Sequence, residues 1–99
     1  MGIDVRLETE NAEPIGEAIY DQSGRLASAL ADAKGSQVEF IDPYGNTVFN
    51  QRQLPVLVKE LEGVLTKVAA PSREHLSAVI ELLRRGLEEP HVYARFIGD

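Results

Sequence analysis

Two groups of residues have the chemistry of recognition. Tyr44, Asn50, Arg52 and Gln53 fall in a bend and the mouth of a helix, and Tyr93 and Arg95 alternate in the last segment. Binding groups concentrate on loops that a rigid scaffold presents, and Tyr and Arg are enriched at interface hot spots. If the last segment lies beside the bend, Tyr93 and Arg95 join the other four; otherwise Tyr44 covers core and Arg95 pairs with a surface acid. The second group is Glu8, Glu10, Glu13, Glu17 and Asp21, five acids with no base between them. Such a run repels nucleic acid and anionic membranes and steers a basic partner inward. Its plainer role is to keep a small protein dissolved.

Catalytic patterns are missing from the sequence. With no cysteine there is no thiolate nucleophile, no disulfide and no Cys-based zinc site. His75 and His91 lack the further ligands a zinc ion needs, so no metal and no cofactor is expected. Ser23, Ser28, Ser36, Ser72 and Ser77 fall in turns, caps or a helix face, without a nucleophile elbow around any of them. Gly24, Gly35, Gly45 and Gly63 are isolated and form no phosphate loop. Asp42, Asn46 and Asp99 offer oxygen ligands, but Pro43, Tyr44 and Gly45 break the alternation a calcium loop requires. Asp42 is better placed to accept backbone amides of its own turn.

The elements that must position these groups are legible in the hydrophobic pattern. Ile3, Val5 and Leu7 alternate with charged residues as in a strand with one wet face. Thr9 to Pro14 reads as a loop, Ile15 to Tyr20 as a second strand, and Asp21–Gly24 as a type I turn. Over 25–33, Leu26, Leu30 and Ala33 fit a helix while Leu26, Ser28 and Leu30 fit a strand; four alanines favour a short helix. Val38 to Ile41 and Thr47 to Phe49 read as a hairpin about the Asp42-Pro43-Tyr44-Gly45 turn.

Asn50 suits a helix cap. Leu54, Leu57, Val58, Leu61, Val64, Leu65 and Val68 then recur at three and four residues. Pro55 predicts a loose first turn over 51–53 and regular helix from Leu54. Ser72 is expected to cap a second long helix with Leu76, Val79, Ile80, Leu83 and Leu87 on its apolar stripe and a Glu81–Arg85 pair on its wet side. His91 to Ile97 reads as a closing strand.

Ninety-nine residues make one domain, 1–99, large enough for a single core. Residues 1–50 hold nine acids against three bases, whereas 51–99 hold seven of each, so the whole net charge of −6 comes from the first half. No apolar run reaches the ~18 residues of a membrane span, and the first residues lack a signal peptide's basic and apolar regions, so the expected location is the cytoplasm.

The segment Asp42-Pro43-Tyr44-Gly45-Asn46-Thr47-Val48-Phe49-Asn50, together with the closing Phe96-Ile97-Gly98-Asp99, resembles a family of small bacterial proteins that has no established activity. The resemblance implies a bacterial, cytoplasmic origin and transfers no site residue.

The resulting expectation is an α+β fold, a small, mainly antiparallel sheet covered on one face by a helical hairpin, in the order β-β-α-β-β-α-α-β. Ile3, Val5, Leu7, Val38, Phe40, Val48, Leu57, Leu61, Leu65, Ile80, Leu83 and Phe96 are expected in the core. The expected function is non-enzymatic protein interaction, an acidic surface meeting a basic partner as immunity or antitoxin-type proteins do. A self-associating homodimer is the alternative, and a small-ligand binder or enzyme using Tyr44, Arg52, Tyr93 and Arg95 a remote one.

Overall fold

The computed structural model describes residues 2–99, apart from the side chain of Gln22. Strands β1 (Ile3–Glu8) and β2 (Pro14–Ile19) lead through a 3₁₀ turn at Gln22–Gly24 into the short helix α1 (Arg25–Leu30). A second 3₁₀ turn, Val38–Phe40, precedes β3 (Asn46–Phe49). Helices α2 (Leu54–Leu65) and α3 (Ser72–Leu87) follow, and β4 (Tyr93–Gly98) closes the chain. The sheet is antiparallel throughout, with order β2-β1-β4-β3. The α+β class and the order of elements are as expected, with the 3₁₀ turn Val38–Phe40 standing where the first hairpin strand was placed.

That turn changes two expectations. A strand over 38–41 would bury Val38 and Phe40 on one side, two residues apart. A 3₁₀ turn instead aligns residues three apart, and it is Val38 and Ile41 that are buried while Phe40 is 71 % exposed. The partner of β3 is accordingly β4, not residues 38–41. In that ladder Thr47 faces Phe96, Val48 faces Arg95 and Phe49 faces Ala94. Successive strand residues point to opposite faces, so Phe49 enters the core beside Ala94 while Val48 is turned out and exposed. Phe49 meets Phe96 edge to face, ring centroids 5.5 Å apart, the arrangement that aromatic quadrupoles favour. Leu65, near the end of α2, is only half-buried.

The other predicted core residues are buried. The two long helices present Leu57, Leu61, Leu76, Val79, Ile80 and Leu83 to the sheet side, where Ile3, Val5, Leu7, Ala94 and Phe96 meet them in one continuous core. Residues 51–53 form the loose turn that Pro55 requires, and Asn50 caps it. Pro71, rather than Ser72, takes the cap position of α3 and makes no side-chain cap bond. Among the described residues Glu81 and Arg85 form no ion pair; Arg84 pairs instead with Glu62 across the two helices.

Candidate functional site

The acids of the first third separate into two kinds. Glu8 and Asp21 turn inward and are spent on the protein's own donors. Asp21 accepts the backbone N–H groups of Ile3 (2.8 Å), Leu26 (2.8 Å) and Ala27 (3.0 Å), which pins the start of β1 to the start of α1. His75 Nε2 lies 3.8 Å from its Oδ1, buried and without a hydrogen bond. Neither Glu8 nor Asp21 therefore contributes an exposed carboxylate to a partner surface. Glu10, Glu13 and Glu17 are exposed.

Folding brings those three to the end of the molecule where α3 finishes. Thr9 Oγ1 accepts the N–H groups of Asn11 and Glu13 (both 3.2 Å) and shapes the β1–β2 loop. His91 Nδ1 approaches Glu10 Oε2 at 3.6 Å, joining that loop to the segment after α3. Gln51 fixes this segment from below. Its Nε2 is 2.7 Å from the Gly86 carbonyl, 2.6 Å from that of Glu89 and 3.3 Å from that of Val92. Glu88 and Glu89 thus arrive beside Glu17. Between β2 and the end of α3 runs a groove of about 580 Å³. Leu7, Ile15, Ala18 and Leu82 line it, and Glu17, Glu88, Glu89 and Arg85 stand at its polar side. The carbonyl end of α3 adds partial negative charge. The even balance of residues 51–99, seven acids against seven bases, conceals Glu88 and Glu89 in the sequence.

A second polar cluster occupies the face of the sheet opposite the helices. The β1–β4 register sets Arg6 against Arg95 and Glu8 against Tyr93. Glu8 Oε2 accepts from Arg6 Nε at 2.6 Å and from Arg95 Nε at 2.7 Å. Only 1 % of Glu8 is exposed, although its position in the strand alternation belongs to the open face. Burial pushes its carboxyl up, and the hydrogen bonds and charges of Arg95 and Arg6 outweigh that and hold it below the ordinary value.

The six residues expected to share a recognition surface are divided. Tyr93 and Arg95 are half-exposed on this open face, and Asn50 follows Phe49 at the Tyr93 end of the ladder. Tyr44 is exposed at the other end, where the Gly98 N–H donates to the Gly45 carbonyl (2.8 Å). Five residue steps along β4, roughly 17 Å of strand, separate the two ends. Asn50 and Gln53 are engaged with each other: Asn50 Oδ1 accepts the Gln53 N–H (3.0 Å) and Gln53 Oε1 accepts the Asn50 N–H (2.9 Å). This reciprocal pair is a capping box. Arg52 is exposed. Asp42 Oδ1 accepts the Tyr44 N–H (2.8 Å), as expected for a turn.

Among the described residues no group of three or more His, Cys, Asp or Glu side chains could hold a metal ion, and no helix is long and apolar enough to cross a membrane. Comparison of the chain with family models, with curated proteins and with solved structures found no match.

Proposed function

We propose that the chain is a non-enzymatic protein-interaction module whose acidic end receives a basic partner. One observation carries this reading: carboxylates far apart in sequence, Glu17 with Glu88 and Glu89, border one groove whose wall is apolar. Apolar surface gives a partner side chain somewhere to be buried. The surrounding charge selects the sign of that partner and raises its association rate. Glu10 and Glu13 extend the field along the adjoining loop. Candidate partners should be captured with this chain at low salt and measured by stopped-flow mixing. Charge reversal at Glu10, Glu13 and Glu17 together should slow association by about tenfold or more, with little change in dissociation, and added salt should erase the difference. A partner indifferent both to salt and to the reversals would refute the reading.

A second reading, self-association, is favoured by exposed apolar side chains along one margin of the sheet. Phe40, Tyr44 and Val48 are exposed on β3 or the segment beside it, which Thr47 Oγ1 ties to the strand through the Asp42 N–H and the Phe40 carbonyl. A sedimentation velocity series that shows only monomer at high micromolar concentration would exclude it.

A further inference from the structure

Arg6 and Arg95 stand directly opposite each other on the two central strands. Like charges in that position repel and destabilise a sheet. Glu8 relieves the repulsion in a particular way, since one carboxylate oxygen takes the Nε–H of both arginines. Among the described residues neither guanidinium makes any other hydrogen bond, so both terminal amino groups of each remain without a protein acceptor. Their side chains are 31 % and 23 % exposed, against 2 % for Glu8. Two guanidinium groups thus share one bound carboxylate.

The buried carboxylate also fixes geometry. An arginine free in solvent loses side-chain entropy when it binds, whereas these two are already held through Nε. Their unengaged amino groups belong to neighbouring side chains, an arrangement suited to an acceptor with more than one oxygen. Paired guanidinium forks match the oxygens of phosphate and carboxylate groups.

We propose that Arg6 and Arg95, braced by Glu8, form a binding site for a single oxyanion, a phosphate or carboxylate group carried by a small molecule. The surroundings restrict its size. The chain carries a net charge of −6, and Asp4 occupies the next outward position of β1, so an extended polyanion meets repulsion beyond the pair while a compact anion does not. Tyr93, across the ladder from Glu8, and Val48, across from Arg95, flank the cluster on the same face. The site is independent of the acidic groove and stands whether or not a basic partner binds there.

The test is an NMR titration of the whole chain, following the arginine Nε–H and backbone amide signals. Inorganic phosphate and acetate are added in separate arms, with sodium chloride at matched ionic strength as the control. Saturable shifts centred on Arg6, Arg95 and their strand neighbours are expected, at millimolar concentration and beyond the effect of chloride. The phosphate and acetate arms show which oxyanion is preferred. Arg95→Lys keeps the charge and removes the fork, so it should weaken binding by about tenfold, as expected for loss of a charge-assisted hydrogen bond. Arg6→Lys supplies the same comparison on the other strand should Arg95→Lys fail to fold. Shifts that match chloride, that fail to saturate, or that survive in a folded lysine variant would overturn the proposal.

Discussion

Glu60 gives the sharpest test of how this fold is held, because one carboxylate organises a segment more than twenty residues away. Its Oε2 accepts the Ser36 N–H (2.7 Å) and hydroxyl (3.0 Å), and its Oε1 accepts the N–H groups of Gln37 (2.9 Å) and Val38 (2.8 Å). These are donors at the start of the 3₁₀ turn that buries Val38 and Ile41. Glu60→Gln replaces one accepting oxygen by an NH₂ group, which would face either the Ser36 pair or the Gln37 and Val38 amides. Two donors lose their acceptor and the rest lose a full negative charge. Hydrogen bonds to charged groups are worth about 1.5–3 kcal/mol each when buried. Glu60 is only half-buried and water replaces part of the loss, so the cost is set at about 2 kcal/mol in total. For a domain of this size that corresponds to a fall in melting temperature of roughly 8–16 °C.

The pH dependence separates the charge from the shape of the side chain. Burial raises the Glu60 carboxyl, and hydrogen bonds from Val38, Gln37 and Ser36 overcome this and hold it below the ordinary value. A carboxyl depressed in the folded state adds stability above its unfolded pKa of about 4.3, and that stability disappears as pH falls through the folded value. Urea unfolding should therefore show a constant gap between parent and Glu60→Gln from about pH 6 to 8, narrowing below about pH 4. A second perturbation reaches the same clip from the other side. A Cβ on Gly35 would stand 2.5 Å from Glu60 Cδ and 2.7 Å from both oxygens, so Gly35→Ala must displace the carboxylate. In a Glu60→Ala background that obstacle is absent, and the two changes should be non-additive by about 1–2 kcal/mol. A gap as wide at pH 3 as at pH 7, together with additive costs, would refute the reasoning.

Two other changes probe the scaffold around the candidate surfaces. Gly98→Ala would put a Cβ 2.6 Å from the Asp42 carbonyl oxygen and against the Pro43 backbone; since backbone cannot rotate away, a loss of about 1–3 kcal/mol in thermal unfolding is expected, and an unchanged melt would show that the bend is not anchored on β4. Gln51→Leu removes the amide shared by the Gly86, Glu89 and Val92 carbonyls, and should cost about 1–2 kcal/mol while speeding amide hydrogen exchange across residues 88–92. Unaltered exchange there would mean that the acidic end is held by other contacts.

What was legible in the sequence was what neighbouring residues decide. The stripe of α2 and α3, the alternation of β1 and the turn at Asp42 each depend on residues within a turn or two of chain, and each is found; Asn50 bonds the amides of the turn before α2, whose own cap position falls on Gln53. The placement of Val38–Phe40 depended on Glu60, and nothing local distinguishes Val-Glu-Phe as a strand from the same residues wound by a distant carboxylate. The face chosen by β3 depended on its partner. With Val48 and Phe49 adjacent, only one side chain can enter the core, and pairing with β4 rather than with residues 38–41 selects Phe49. Glu8 is the clearest case on the functional side. Among Glu10, Glu13 and Glu17 it reads as one more surface acid, and half of the arginine pair that holds it, Arg95, lies 87 residues further on.

The same sorting gives the charge distribution its meaning. Sixteen acids and a net charge of −6 describe the chain as acidic without saying where. Asp4, Glu8, Asp21, Asp42 and Glu60 accept hydrogen bonds from the protein's own backbone or arginines, so their charge is committed to holding strands and turns together. Glu10, Glu13, Glu17, Glu88 and Glu89 are exposed near the end of α3, with His91 and Arg85 beside them. A surface charge that contributes little to stability can be exchanged at small cost to the fold, and it contributes most to what the molecule attracts. Substitutions at those five positions should therefore change association while leaving the melt nearly untouched. Substitutions at the acids that accept those internal hydrogen bonds should do the reverse, and that contrast separates a working surface from an incidental excess of carboxylates.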